Sequence, residues 1–508
     1  MSKDKSKRLY HIRAMQNAAL AVVSGVLMVL AFPKFGLFPL AWISLIPLIV
    51  AVNRARWLGS FGLGVITGFV FFGGLLYWIS LFGYLPWFLL ALVQSLSVGI
   101  FALLINVIGK RGLITLAAVP SLWTALEWIR SLGAFGFTWG DLAYSQAGWL
   151  HIIQISNITG PWGVTFLIVL VNTALALLLI QRDKVALVQA SAVAGLVVIA
   201  AVAGVVTLNN IESDINPDKK VALVQGGVEM TWRDEKVLEE IRQTYWPMTK
   251  NLPRNLDLIV WPESALPGYL LSSEWLRQEM AHLARENKAY MLVGGPHVIE
   301  DDNTEAGYKE QNGAYLIHPS GELAGEYYKV HLVPFGEFVP GRDWLPLLQN
   351  YKIREVDYSP GQGHNTLHSS HGSIGVAICF ESIFPGISTK FTQAGAGLLV
   401  VITNDSWFGM TAAPAQHHDF SVFRAVENRR YVLRNASTGI SSIISPTGRV
   451  LSSAELGEKA VVKGEVAMLT GETIYMRFGD WFAVLCSIAG MILLFISLRP
   501  YKTMGHPR

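Results

Sequence analysis

Charge is what this 508-residue chain most lacks: 15% of its residues are Asp, Glu, Lys or Arg, against roughly 25% in ordinary soluble proteins. The deficit is local. Residues 14–207 hold 11 charged side chains among 194, whereas residues 208–508 hold 60 among 301. This excludes a purely cytosolic enzyme and splits the chain into a membrane half and a globular half. Cysteine is also scarce. Cys379 and Cys486 stand in segments of different character, so no disulfide framework can be read. The net charge of +3 is too small to suggest a nucleic-acid partner, which a clustered basic face would mark. No internal repeat, low-complexity linker or Gly-rich phosphate loop is present.

What the first half has instead is apolar runs, at 15–32, 37–52, 58–81, 85–107, 113–128, 162–180 and 185–208, with another at 481–498. A helix needs ~20 such residues to cross the hydrocarbon. Eight transmembrane helices are expected, although 37–52 and 113–128 are short and the second contains Glu127. The loops supply an independent test, since cytoplasmic loops carry excess Lys and Arg. Eight crossings put 14 basic residues on one side, from Lys3 through Arg54, Lys110 and Arg182 to Arg508, and only Lys34 and Arg130 in the opposite short loops. Both termini are therefore expected in the cytoplasm and the long segment after the seventh helix outside. The first run ends in Phe32-Pro33-Lys34-Phe35-Gly36 rather than in small residues, which reads as a retained helix and not a cleaved signal. The division is an N-terminal membrane domain at 1–208, a globular domain at 209–480, and a last helix with its tail at 481–508. Glu127, beside Trp128 and Arg130, is expected to pair locally or snorkel. The loop 131–161, with Trp139, Asp141, Tyr144, Trp149 and His151, reads either as an interfacial aromatic belt or as a floor beneath the outer domain.

From 209 to 480 apolar β-type runs alternate with helical stretches. Buried strands are expected at 221–225, 256–261, 289–294, 373–379 and 398–403, and helices near 234–250, 273–287, 384–395 and 415–430. Hairpin-like pairs flank Pro319-Ser320-Gly321 and Pro446-Thr447-Gly448. This pattern is that of an α/β domain with antiparallel additions.

Three places in it carry candidate chemistry. Glu263 follows a strand in Trp261-Pro262-Glu263-Ser264. Lys329 sits in Tyr328-Lys329-Val330-His331, ahead of Pro334-Phe335-Gly336-Glu337-Phe338. Cys379 ends the strand Ile374-Gly375-Val376-Ala377-Ile378 and precedes Phe380-Glu381. Sites in open α/β sheets gather at strand C-terminal ends, so the three can converge. Each alone has an ordinary reading: a helix-start carboxylate, a solvated strand-end lysine, a buried small thiol. Together, the Glu, Lys and Cys resemble the triad of the nitrilase superfamily, whose domain is an αββα sandwich. The resemblance runs from about 220 to 466 and includes Asn404-Asp405-Ser406-Trp407-Phe408-Gly409, Arg424-Ala425-Val426-Glu427-Asn428-Arg429-Arg430 and Ser437-Thr438-Gly439-Ile440-Ser441. Set between a seventh and an eighth membrane helix, such a domain resembles the apolipoprotein N-acyltransferase family of the bacterial inner membrane.

That resemblance implies Glu263, Lys329 and Cys379 as the catalytic triad and Glu337 as a second essential carboxylate. It places Trp232, Phe380, Glu381 and Trp407 where they shape the site. Nitrilases commonly have Tyr after the nucleophile, whereas Phe380 stands here, so no hydroxyl is required at that point. The implied chemistry is acyl transfer through a Cys379 thioester, with a phospholipid donor, a diacylglyceryl-apolipoprotein acceptor, the bilayer as partner and the catalytic domain in the periplasm. Glu263 serves as base, Lys329 and the N–H after Cys379 as oxyanion donors at ~3 kcal/mol each, and Glu337 orients Lys329 or the incoming amine. Phe335, Phe338, Phe408, Trp232 and Trp407 form either a greasy mouth or ordinary core. No cofactor is implied, and a monomer is expected. His417-His418-Asp419 does not read as a metal site, because adjacent helical histidines diverge and no spaced ligand completes the set. The rival enzyme is a membrane-tethered amidohydrolase in which water resolves the thioester. The rival outside enzymes is a transport or scaffold protein, against which the helices show few broken or charged midplane segments.

Overall fold

The structure, a computed structural model, describes residues 3–230, 234–301, 306–342 and 356–498. Among these, six helices are long and apolar enough to cross a membrane: His11–Ala31, Trp57–Leu75, Tyr84–Ile108, Pro161–Gln181, Lys184–Asp214 and Trp481–Leu498. The other two runs behave differently. Residues 37–52 break into a 3-10 turn, Phe38–Trp42, and a two-turn helix, Ile46–Val52, each with a proline in its first turn. A break inside hydrocarbon needs a donor and an acceptor from elsewhere. Asn172 supplies both, accepting from the Leu45 N–H at 2.8 Å and donating to the Ala41 carbonyl at 2.9 Å. Leu113–Arg130 is an 18-residue helix with Pro120 inside it and Glu127 on its buried side. Glu127 pairs locally, accepting from Trp123 Nε1 and Thr165 Oγ1, both at 2.7 Å, and from the Leu142 N–H at 2.9 Å.

The globular half is two six-stranded sheets. The strands are β1 (Lys219–Gln225), β2 (Leu258–Val260), β3 (Tyr290–Glu300), β4 (Tyr308–Ile317), β5 (Leu323–Tyr328), β6 (Leu367–Ser369), β7 (Gly372–Ile378), β8 (Leu398–Thr403), β9 (Val432–Ala436), β10 (Ser442–Ile444), β11 (Val450–Ser453) and β12 (Ala460–Val466). The first sheet runs β12-β1-β2-β3-β4-β5 and the second β11-β10-β9-β8-β7-β6. Each has three parallel strands at its centre, β1-β2-β3 and β7-β8-β9, with antiparallel strands outside them. Strand alternation puts Val221, Leu223, Leu258, Val260, Tyr290 and Leu292 into the core shared with the second sheet. Ala222, Val224, Ile259, Trp261, Met291 and Val293 pack beneath the helices Glu235–Lys250 and Glu274–Asn287. Both faces are covered, which is why these strands read as continuous apolar runs.

The second sheet carries Pro385–Gln393 and Ala413–Asn428 outside it. Their far side meets membrane-half residues, so the layers run helix, sheet, sheet, helix, then membrane helices. Thr138 Oγ1 donates to the Ile383 carbonyl at 2.9 Å, Trp139 Nε1 to Gln416 Oε1 at 2.8 Å, and Gln416 Nε2 to the Pro33 carbonyl at 2.7 Å. Tyr144 lies edge-on to Phe420, with centroids 4.3 Å apart. Residues 138–147 of the 131–161 loop thus form a buried floor, while Leu132 and Phe135 stay exposed. A floor requires Trp139, Asp141 and Tyr144 to face protein, and all three are buried.

Candidate active site

Glu263, Lys329 and Cys379 follow β2, β5 and β7, so the two sheets deliver them to one seam. The chain leaves β7 with Cys379 at φ +52°, a left-handed conformation that costs a non-glycine residue about 1–3 kcal/mol. It then enters a 3-10 turn, Cys379–Ile383. Glu263 is 5% exposed and Lys329 1%. Neither carboxylate nor ammonium is left bare. Glu263 accepts from Asn312 Nδ2 and from the Asn404 N–H, both at 2.6 Å. Lys329 Nζ donates to Glu337 Oε1 at 2.8 Å, and Glu337 Oε2 accepts from the Val333 N–H at 2.8 Å.

The electrostatics follow from burial and these partners. Burial pushes the Glu263 carboxyl above its usual range, while Lys329 opposes the shift. Burial also works against the Lys329 ammonium, but Glu337, Cys379 and Glu263 together outweigh it and its pKa is raised. The Cys379 thiol is pushed up by burial and by Glu263, with Lys329 acting in the opposite sense. At neutral pH the resting arrangement is therefore a thiol and an ammonium beside a carboxyl group whose basicity is raised. A thiol in that state becomes a nucleophile when its proton passes to a base as it attacks.

Glu381 is fully buried and ties the motifs to each other. Its Oε1 accepts from Tyr327 Oη at 2.8 Å and from the N–H groups of Val330 at 2.8 Å and His331 at 3.1 Å, while Oε2 accepts from the Ile378 N–H at 2.8 Å. One carboxylate thus fixes the backbone after Lys329 to the backbone before Cys379. Phe380 is half-buried against Phe384, with His331 beside both rings.

The aromatic residues divide. Phe335 is 51% exposed, at φ +59°, and Phe338 is half-buried. Trp407 is half-buried, its ring 6.4 Å from that of Phe82 in the 3-10 turn Tyr77–Phe82 between two membrane helices. Phe408 is buried against Trp78 and Trp139, so it belongs to the packing on the floor and not to an open mouth. Trp232 lies outside the described residues. His417 and His418 diverge, toward Asp405 and Ser382 in one case and toward Ser442 in the other.

Four side chains at the seam escaped the sequence reading. Asn312 wedges between Glu263 and Glu337, reaching the second at 3.4 Å. Its only signal is a polar Gln311-Asn312 pair ahead of an apolar strand end. Thr403, Arg434 and His417 surround Asp405, at 2.8, 2.8 and 3.0 Å. In the sequence, His417 stands out only beside His418 and Asp419, a cluster that does not read as a metal site.

Comparison with known proteins gives this arrangement its family. Residues 24–174 match the model of the apolipoprotein N-acyltransferase N-terminal domain, and residues 220–475 match that of carbon-nitrogen hydrolases. An apolipoprotein N-acyltransferase from Geobacter metallireducens is 38% identical over 96% of this chain and 96% of its own length. The chain belongs to the apolipoprotein N-acyltransferase family. Relatives of the same name from Methylococcus capsulatus (32% identical, covering 97% of this chain and 98% of theirs) and Coxiella burnetii (30%, 95% and 99%) match it as fully. Among solved structures, yeast Nit3, a member of the nitrilase superfamily, aligns with 50% of this chain and 91% of its own at 21% identity and a TM-score of 0.38. Membership in the family, together with the apolar helices, makes this a membrane acyltransferase with a nitrilase-like domain.

Proposed function

We propose that this enzyme moves a fatty acyl chain from a phospholipid to the α-amine of the S-diacylglyceryl cysteine that begins an apolipoprotein. In the first half-reaction Cys379 Sγ attacks the ester carbonyl as Glu263 takes the thiol proton. The C–O bond breaks, and the leaving lysophospholipid alkoxide takes that proton. In the second, the amine attacks the thioester and the C–S bond breaks. Glu263 relays the amine proton to the departing thiolate. Lys329 donates to the oxyanion in both tetrahedral intermediates, and Glu337 holds Lys329 in place. Phe335, Phe338, Trp407, Phe380 and Trp232 are assigned to the acyl chain's surroundings.

One observation carries this reading. The seam holding a thiol, a buried carboxylate and a buried ammonium rests, through Thr138, Trp139 and Gln416, on the floor of a helical membrane assembly. A soluble enzyme would have to lift its substrates out of the bilayer at ~0.8 kcal/mol per CH₂, and an enzyme seated at the interface avoids that cost. The same reading assigns eight crossings with cytoplasmic termini, a membrane domain at 1–208, a periplasmic catalytic domain at 209–480, and a final helix from 481. It takes the working unit as a monomer.

Mass spectrometry of the intact protein after incubation with phospholipid alone tests the covalent step. A fatty-acyl increment on the peptide containing Cys379, discharged when a diacylglyceryl peptide is added, is the expected result. Turnover of small amides with no such increment would favour hydrolysis and defeat the proposal.

A further inference from the structure

The helix Ala413–Asn428 brings His417 up behind Cys379, on the side of the second sheet away from Glu263 and Lys329. His417 Nε2 lies 3.3 Å from the Cys379 carbonyl and 3.0 Å from Ser382 Oγ, and Ser382 Oγ donates to the same carbonyl at 2.7 Å. Its Nδ1 lies 3.0 Å from both Asp405 Oδ1 and Arg434 Nη2, and Arg434 Nη2 also donates to Asp405 Oδ2 at 2.8 Å. His417, Arg434 and Ser382 are 0% exposed and Asp405 1%. In the tautomer with hydrogen on Nε2, Arg434 Nη2 donates both to Asp405 and into Nδ1, and Nε2–H serves Ser382 and the Cys379 carbonyl together, whereas hydrogen on Nδ1 would go to Asp405 Oδ1. The ring is held flat by Trp139, at 5.6 Å and 27°.

We propose that the Arg434–Asp405–His417 cluster, acting with Ser382, positions the Cys379–Phe380 peptide so that the Phe380 N–H serves as an oxyanion donor. A peptide is planar and trans, so its C=O and N–H point in opposite directions. Two donors gripping the Cys379 oxygen from the Ala413–Asn428 side therefore aim the Phe380 N–H toward the first sheet, which supplies Glu263 and Lys329. Phe380 is the second residue of the 3-10 turn Cys379–Ile383, where the first N–H groups have no partner within the turn. Hydrogen bonds to the carbonyl also polarise the N–H of the same peptide. The grip meets a further need: Cys379 at φ +52° persists only if its surroundings over-determine it. His417 reaches no reacting atom, so it is a positioning residue and not a catalytic one.

This inference rests on the covalent acyl-transfer reading above, and its test separates the two. Full-length enzyme and its variants in phospholipid nanodiscs are followed for acylation of Cys379 by intact mass and, in parallel, for alkylation of Cys379 by iodoacetamide. Alkylation displaces iodide without forming an oxyanion, so it reports the thiol and its base but not the oxyanion hole. His417→Leu is expected to slow acylation at least about tenfold with donor KM and alkylation rate each within about twofold, since one oxyanion donor is worth ~10²–10³ in rate when lost outright. His417→Gln, which keeps a donor, recovers part of the loss. Ser382→Ala, the milder change, slows acylation about threefold by the same argument and serves if His417→Leu does not fold. Acylation within about twofold of the unaltered enzyme in Ser382→Ala and every folded His417 variant overturns the proposal, as does alkylation slowing in step with acylation. An unaltered enzyme that forms no acyl adduct overturns the acyl-transfer reading itself.

Discussion

The two outer helix layers of the sandwich occupy equivalent places and live in different solvents. On the first sheet, Glu235–Lys250 and Glu274–Asn287 bury one stripe and leave the other in water. Their charges pair loosely there: Arg242 and Glu239, at 3.3 Å, are 47% and 53% exposed. On the second sheet, Ala413–Asn428 is covered on both sides, by the sheet and by the membrane floor. Its Arg424–Glu427 pair, at 2.7 Å, is 0% exposed, and Arg424 also donates to Tyr144 of the floor at 3.0 Å. One layer ends a globular fold, and the other joins it to a membrane. A docked layer has little water to satisfy its polar groups, so they depend on protein partners. In this enzyme those partners reach Cys379 on one side and the membrane loop on the other.

The largest expected effect lies at the seam, where the two layers cease to differ because both sheets supply the chemistry. Glu263→Gln removes the base while keeping an acceptor for one of the two donors, Asn312 and Asn404, and should reduce the rate of acyl-adduct formation on Cys379 by about 10²–10⁴. Next comes the buried Arg424–Glu427 pair. Arg424→Leu leaves Glu427 buried without its partner and should cost about 3 kcal/mol in detergent unfolding. Arg242→Leu, its counterpart in the solvent layer, should cost under about 0.5 kcal/mol. Equal losses would erase the distinction between the layers. A smaller effect follows at the floor: Trp139→Phe keeps a ring over His417 but strips Gln416 Oε1 of its donor, and should cost about 1–2 kcal/mol by the same measurement.

The last effect is a slope rather than a loss. Burial, opposed by Arg424, pushes Glu427 up from 4.5 to about 8. A carboxyl whose pKa is higher in the folded state binds its proton more tightly there. Its contribution to stability is fully present below about pH 4.5, declines as pH rises, and is gone above about pH 8. Unfolding measured across that window should show a downward slope with pH that Glu427→Gln reduces. An unchanged slope would mean that other groups set it.

Local pattern and distant partner explain what could be read early and what could not. The central strands were legible because they are buried on both faces: β8 falls at 398–403 as expected, and β7 ends one residue before Cys379. The strand β9, central to the second sheet, was not, because Arg434 and Asn435 interrupt its apolar run. Both are buried through contacts with other segments: Arg434 on Asp405, and Asn435 donating to the Val224 and Val260 carbonyls of the opposite sheet at 3.2 and 2.7 Å. The short strand β6 and the edge strand β12 were missed too, β12 because a mixed run such as Val462-Lys463-Gly464-Glu465 resembles a loop. The apolar run at 37–52 could be seen but not its break, since the residue that stabilises the break, Asn172, lies more than a hundred positions away.

By itself, the sequence determined the split between membrane and globule, the parallel strands other than β9, and the strand ends that carry Glu263, Lys329 and Cys379. Each of these is written in the spacing of neighbouring residues, through hydropathy, alternation and the residue types that end strands. Only the tertiary structure decided that Asn312 stands between two carboxylates, that Glu381 fastens one motif to another, and that His417 backs the nucleophile's peptide. A buried polar side chain takes its role from the group it meets, and for these residues that group lies far along the chain and comes near only when the two sheets close on each other and on the membrane floor.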